Sequence, residues 1–123
     1  MNIYVSHSSN FDYQTELYLP LKTILKDHTL ILPHEKDAKP FPVRELFSDK
    51  KCDLVIAEVS FPSTGQGIEL GWADSLKIPV LYLLRKDIKA SESIFTISSK
   101  MIIYDQLIYT KDTILSEVTS FLS

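Results

Sequence analysis

Apolar residues along this chain recur at two spacings, and the switches between them mark out strands and helices in alternation. Residues 2 to 6, NIYVS, form a short β-prone run that ends in the polar HSSN, the pattern of a strand opening into a loop at its carboxyl end. From about Asp12 to Asp27, Leu17, Leu21, Ile24 and Leu25 recur at helical spacing, and Pro20 must kink or interrupt that helix because it has no backbone N–H to donate. TLILP reads as a second strand stopped by Pro33. HEKDAKPFP, with its prolines and charges, reads as a surface loop in which Pro42 opens a helix running to about Lys51. DLVIAEV is almost unbroken in its apolar character, as expected of a strand covered on both faces. PVLYLL repeats that signal and KMIIYD supplies a fifth strand. TKDTILSEVTSFLS closes the chain as a helix with Ile114, Leu115, Val118 and Leu122 on one side.

Strands that alternate with helices favour a parallel sheet, because parallel neighbours need crossover connections and these pack over the sheet. The expected fold is therefore α/β: a flavodoxin-like, doubly wound, five-stranded parallel sheet with helices on both faces. A single domain is expected over residues 1–123. In such folds the ligand crevice lies beyond the carboxyl ends of the strands, which gathers SHSS, PHE, EVSFPSTG and LLRKD around one mouth.

Within PSTGQGIELGWA one residue is out of place. At about 100° per residue, Ile68, Glu69, Trp72, Ala73 and Leu76 fall within roughly 80° of one side of the helix, and Gln66, Gly67, Leu70, Gly71, Asp74 and Lys77 fall on the other. That wheel sets Glu69 on the core-facing stripe. A helical glutamate is ordinarily a solvated surface residue, and a helix rotated slightly would let Glu69 reach water. Its position within two turns of an apolar strand's end, after a glycine-containing loop, favours instead a carboxylate bordering a pocket. Backbone donors at the helix amino end favour its ionised form and oppose the effect of burial. Such a group serves as a nucleophile or stabilises a cationic transition state. Ser63 and Thr64 are candidate caps. Gly65 and Gly67 let a phosphate or carboxylate approach backbone amides, although Ser-Thr-Gly before a helix is more often only a cap. Gly67 and Gly71, with Leu70 taken as outward-facing, would admit a partner helix, a hint of a dimer.

Composition narrows the classes. The chain has 123 residues and 45% hydrophobic content, enough for one core with two covered sheet faces. Its formal charge of −3 lacks the basic footprint of a nucleic-acid polymer binder, while a small anionic ligand needs only local donors. One cysteine, Cys52, forms no internal disulfide, and no Cys/His spacing resembles a metal site. No segment has the length of a signal peptide's apolar core or of a membrane span, so a cytoplasmic protein without membrane association is expected.

The stretch CDLVIAEVSFPSTGQGIELGWADSLKIPVLYLLR resembles the nucleoside 2-deoxyribosyltransferase superfamily, with its 2′-deoxynucleoside 5′-phosphate N-hydrolase branch the nearest. The likeness is strongest from Cys52 to Arg85 and weaker from Ile3 to Ser8. It implies that Glu69 is the catalytic carboxylate at the anomeric carbon, that Tyr4 of the first strand positions it, and that Ser63 contacts a 5′-phosphate. Ser93 matches a serine that reaches the phosphate of the neighbouring subunit's ligand. Ser6, His7 and Ser8 fall in the first loop, where the family usually has a glycine in place of His7; no proton-transfer role is assigned to His7. A family aspartate eight residues before the motif's first aspartate falls on Glu45. Val43, Leu46 and Phe47 mark the buried side of that helix, so Glu45 is balanced between a solvated and a catalytic reading. The resemblance implies hydrolysis of the N-glycosidic bond of a (deoxy)nucleoside 5′-monophosphate, without a cofactor, by a homodimer acting on a small nucleotide or nucleoside. Transfer of deoxyribose between bases, or a nucleotide sensor without turnover, are the alternatives. YVSHSSNFD also looks like the opening of a Toll/interleukin-receptor domain, some of which cleave NAD, though the Gly-x-Gly-x-Glu-Leu-Gly helix is foreign to that pattern.

Overall fold

The computed structural model describes residues 1–35, 42–97 and 100–121. Five strands, β1 (Asn2–His7), β2 (Thr29–Ile31), β3 (Leu54–Glu58), β4 (Val80–Arg85) and β5 (Lys100–Tyr104), form one sheet in the order β2-β1-β3-β4-β5. Every pairing is parallel. The α/β, flavodoxin-like arrangement expected from the alternation is the one found. The chain steps outward from β1 to β2 and then returns across β1 to β3, so connections leave neighbouring β1 and β3 in opposite directions. Such a switch point opens a crevice at the carboxyl ends. Register sets Ser6 beside Ala57 and His7 beside Glu58 there.

Four α-helices, α1 (Leu19–Ile24), α2 (Val43–Ser48), α3 (Thr64–Ser75) and α4 (Lys111–Ser120), cover the sheet. Alternate strand residues point to opposite faces. Ile3, Val5, Leu54, Ile56, Leu81 and Leu83 pack against Leu21 and Ile24 of α1 and Ile114 and Val118 of α4. Tyr4, Val55, Ala57 and Tyr82 pack against Val43 and Phe47 of α2 and Leu70 and Ala73 of α3. Burial on both faces is why β3 reads as an unbroken apolar run. Leu122, expected on the buried side of the last helix, lies outside the described residues, as do residues 36–41 of the charged loop.

Pro20 leaves a definite mark. A π-helix at Gln14–Tyr18 precedes α1, with the Leu19 N–H bonded to the Gln14 carbonyl, and Pro20 falls in the first turn of α1. A missing N–H costs little in that turn. The expected interruption thus takes the form of a change of helix type.

The face that α3 buries differs from the expected one. Gln66, Leu70 and Ala73 point inward, with Leu70 only 3% exposed, whereas Ile68 is 50% and Leu76 47% exposed. The wheel was led by the bulk of Ile68, Trp72 and Leu76. In the fold, Gln66 turns inward because its amide meets backbone carbonyls of two strands. Leu70 therefore belongs to the core and offers nothing to a partner helix.

Helix α2 stops at Ser48, short of Lys51, and it ends as α3 does. Lys50 and Lys77 take φ of 59° and 60°. The N–H groups of Lys51 and Lys50 return to the Leu46 and Phe47 carbonyls at 3.1 and 3.2 Å, and those of Ile78 and Lys77 to Ala73 and Asp74 at 2.8 and 3.1 Å. Both ends close in a Schellman motif with lysine at the left-handed position, where glycine is usual. Lys77→Gly is expected to stabilise the protein by about 0.5–1 kcal/mol, since the left-handed strain relieved exceeds the glycine's entropy cost. Thermal unfolding should show a rise of about 3 °C in Tm.

Candidate active site

Tyr4 and Ser6 alternate with His7 along β1, so their side chains leave the sheet on the α3 side while His7 leaves on the other. The Tyr4 hydroxyl donates to Glu69 Oε2 at 2.7 Å and the Ser6 hydroxyl to Oε1 at 2.9 Å. Each carboxylate oxygen thus has one anchor, and a carboxylate has about four acceptor positions. Glu69 is half-buried and borders an open groove of about 330 Å³ with Pro42, Glu45, Gly65, Ile68 and Trp72. Glu45 is exposed, yet it lines this same groove. The helix wheel of α2 turned it toward solvent, and the groove is where solvent meets Glu69.

Two devices hold α3 in the orientation that aims Glu69. Ser63 is its N-cap, accepting from the Gln66 N–H at 3.3 Å. The Gln66 Nε2 donates to the carbonyls of Ser6 (3.2 Å) and Glu58 (2.8 Å), tying the first turn of α3 to the ends of β1 and β3. On the opposite side of that turn Ser63, Thr64 and Gly67 line a second cavity of about 490 Å³ with Lys89 and Ser93. Ser63 and Gly65, two residues apart, lie in different cavities, so the two spaces flank the first turn of α3. A β-carbon at Gly65 or Gly67 would meet nothing within 4 Å. Helical glycine is destabilising by about 0.5–1 kcal/mol relative to alanine, and the chain's own packing requires neither.

The three residues expected in the first loop divide: Ser6 and His7 belong to β1 and only Ser8 follows it. Ser6 faces Glu69. Ser8 is buried, and its hydroxyl accepts from the Asn10 N–H at 3.1 Å. His7 is buried with both ring nitrogens engaged: Nδ1 with the Ser8 carbonyl at 2.7 Å and Nε2 with the Tyr18 hydroxyl at 2.6 Å. A carbonyl only accepts, so Nδ1 carries the hydrogen. Tyr18 then donates to Nε2 while accepting from the His34 N–H at 3.2 Å. Tyr13 and His34 lie 4.5 and 5.4 Å from the His7 ring, making an aromatic cluster at the ends of β1 and β2.

Burial pushes the Glu69 carboxyl above the ordinary carboxylate value, opposed by the hydrogen bonds from Tyr4 and Ser6 and by the nearby His34. Glu69 lies beyond the first turn of α3, so the helix amino end contributes little. Burial, and after it the charge of Glu69, holds the Tyr4 phenol far above its usual range, so Tyr4 stays a donor. Burial lowers His7 to about 4. Among the described residues no group of three or more His, Cys, Asp or Glu side chains is placed to hold a metal ion, and no helix is long and apolar enough to cross a membrane.

No protein-family model matches the chain, and no curated protein does. Solved structures do. CMP N-glycosidase BcmB of Clostridium botulinum aligns over 94% of this chain and 99% of its own, with 22% identity and a TM-score of 0.66. A 2-deoxyribosyltransferase from Bacillus psychrosaccharolyticus aligns over 91% of each chain, with 17% identity and a TM-score of 0.63. A conserved protein from Enterococcus faecalis V583 aligns over 98% of each, with 15% identity and a TM-score of 0.62. This chain shares their fold.

Sequence reasoning missed Gln66, assigned to the wrong side of α3, and the aromatic residues Tyr13 and Tyr18. Tyr18 falls one residue after the apolar Leu17, and a second tyrosine close by was the only available signal.

The state of His7 has a consequence for stability. Its folded value lies below the ordinary one, so the unfolded chain binds the proton more readily and acid favours unfolding. Stability is fully present above about pH 6.5 and is lost as pH falls toward 4, by roughly 3 kcal/mol. Urea unfolding between pH 4 and 7 should show this slope, and His7→Gln should flatten it.

Proposed function

We propose that this chain hydrolyses the N-glycosidic bond of a nucleoside or deoxynucleoside 5′-monophosphate, with Glu69 as the carboxylate at the anomeric carbon. The observation that carries this reading is the half-buried Glu69, held by Tyr4 and Ser6 with acceptor capacity left toward an open groove. Its support from known structures is the shared fold with a CMP N-glycosidase and a 2-deoxyribosyltransferase. A Glu69 oxygen attacks C1′ as the C1′–N bond breaks, its electron pair leaving with the base, which takes up a proton. Water then displaces Glu69 and yields the free sugar phosphate. The chemistry parallels that of retaining glycosidases, in which a second carboxyl serves as acid and then base. Glu45, across the same groove, is the group proposed for that part. Ser63 and the Gly65 amide are proposed to hold the phosphate; the Gly67 amide, expected to share in this, is instead bonded to the Ser63 carbonyl at 3.1 Å as part of the helix.

Phe95, 65% exposed, and Ile103, 64% exposed, flank the side of the sheet where a five-residue 3₁₀ segment, Glu92–Thr96, stands between β4 and β5 in place of a full helix. Ser93 belongs to this segment. A second copy of the chain is the proposed occupant, bringing its own Ser93 toward the phosphate. Light scattering should give a dimer, and Phe95→Asp a monomer with weaker nucleotide binding.

Trp72, the sole tryptophan, lines the groove and reports on binding there. Glu69→Gln should lower base release by on the order of 10³-fold, while CMP or dCMP still quenches Trp72 fluorescence. Tyr4→Phe should cost about 10–100-fold, the worth of a hydrogen bond to a charged group. Base release unchanged in Glu69→Gln would remove the assignment. A second free base in the assay separates transfer from hydrolysis, NAD tests the remaining enzymatic alternative, and binding without turnover would indicate a sensor.

A further inference from the structure

Arg85 ends β4, and its side chain touches both loops that frame the crevice. Its Nη2 donates to Glu16 Oε2 at 2.9 Å. Its Cζ lies 5.0 Å from the centre of the Phe11 ring and 5.1 Å from that of Phe61. Phe11 belongs to the loop after β1 and Phe61 to the loop after β3, and the two rings stack at 5.2 Å. Phe11 continues into the aromatic cluster, meeting His7 and Tyr13 edge-on at 6.1 and 6.2 Å. Phe61 lines the cavity that holds Ser63.

Behind the guanidinium lies Glu58, completely buried at the end of β3. Its carboxylate accepts from the Ser60 N–H at 2.6 Å, from the Ser60 hydroxyl at 3.0 Å and from the Tyr104 hydroxyl, with Arg85 Nε 3.9 Å away. The Ser60 hydroxyl in turn accepts the Arg85 N–H at 2.8 Å. Hydrogen bonds and a nearby cation both favour a buried carboxylate. Arg85 Nε faces Glu58 at 3.9 Å, an ion pair without a hydrogen bond, while the two phenyl rings flank the guanidinium. A planar guanidinium can lie against two rings while Nη2 still donates to Glu16, a combination a compact lysine ammonium does not reproduce.

We propose that Arg85 is a positioning residue, clamping the loop of residues 8–13 to the loop of residues 59–63 so that the end of β1 and the cap of α3 stay in register around a ligand at Glu69. Arg85 acts through Phe11 and Phe61 and touches no reacting atom. The clamp's part in turnover rests on the reading of Glu69 given above; its part in holding the two loops together does not.

Two variants test it. Arg85→Lys keeps a cation near Glu58 but removes the planar group, and Phe11→Leu removes one ring while leaving the buried charges alone. In the ligand-free protein, amide hydrogen exchange in residues 8–13 and 59–63 should rise by about tenfold or more in both variants, with α4 unchanged. KM for CMP should rise about tenfold with kcat within about twofold of wild type, the pattern of lost ligand binding with chemistry intact. Exchange at wild-type rates in both loops overturns the clamp. So does faster exchange accompanied by unchanged KM, or by a fall in kcat alone. If the wild-type chain releases no base from any nucleotide, the Glu69 reading fails. Hydrogen exchange, together with titration of Trp72 fluorescence by CMP, then decides the clamp on its own.

Discussion

The contact between β1 and the first turns of α3 is the constraint on which the candidate site depends. Tyr4 and Ser6 leave the strand on one face and give their hydroxyl hydrogens to the two oxygens of Glu69, while Gln66 reaches the ends of β1 and β3 from the same helix. A glutamate side chain has three rotatable bonds and in water would sample many rotamers. Two donors on a rigid strand reduce these to one. The cost of partial burial, seen in the raised Glu69 value, is what keeps such a group responsive to a cationic centre.

The carboxyl end of the central strand β3 carries a second carboxylate that is treated in the opposite way. Glu58 has no exposure, and it is surrounded by the N–H and hydroxyl of Ser60, the Tyr104 hydroxyl and Arg85. Every direction from which a ligand might approach it is filled by the chain. Glu69, eleven residues later, has anchors on one side and an open groove on the other. Identical chemistry on neighbouring elements is thus divided between structure and availability by what stands opposite each carboxylate.

The glycines of α3 fit the same division. Gly65 and Gly67 weaken a helix that carries the candidate carboxylate, and among the described residues no atom lies within 4 Å of a β-carbon placed at either. All three glycines of the chain fall in this helix. Gly65 borders one cavity and Gly67 the other at the amino end of α3. Stability is given up at the position where both cavities meet the backbone.

Much of the architecture was legible in the residues alone. Alternating strand and helix patterns determined the parallel sheet, because covered strands are apolar on both faces and crossovers are usually helical, although the β4–β5 crossover carries only a 3₁₀ segment. The turn chemistry of PSTGQG determined the start of α3; Glu69 was singled out by its place after an apolar strand, the resemblance from Cys52 to Arg85 added its role and that of Ser63, and the weaker match over Ile3–Ser8 added Tyr4. The buried face of α3 was misread, since bulk in Ile68, Trp72 and Leu76 outweighed the amide of Gln66, whose partners lie 8 and 60 residues away. Whether Glu45 shares a groove with Glu69, whether His7 is free or locked, and how Arg85 bridges two loops were decided only by tertiary structure. Those facts depend on which side chains from distant parts of the chain meet, and a local pattern along the chain has no term for that.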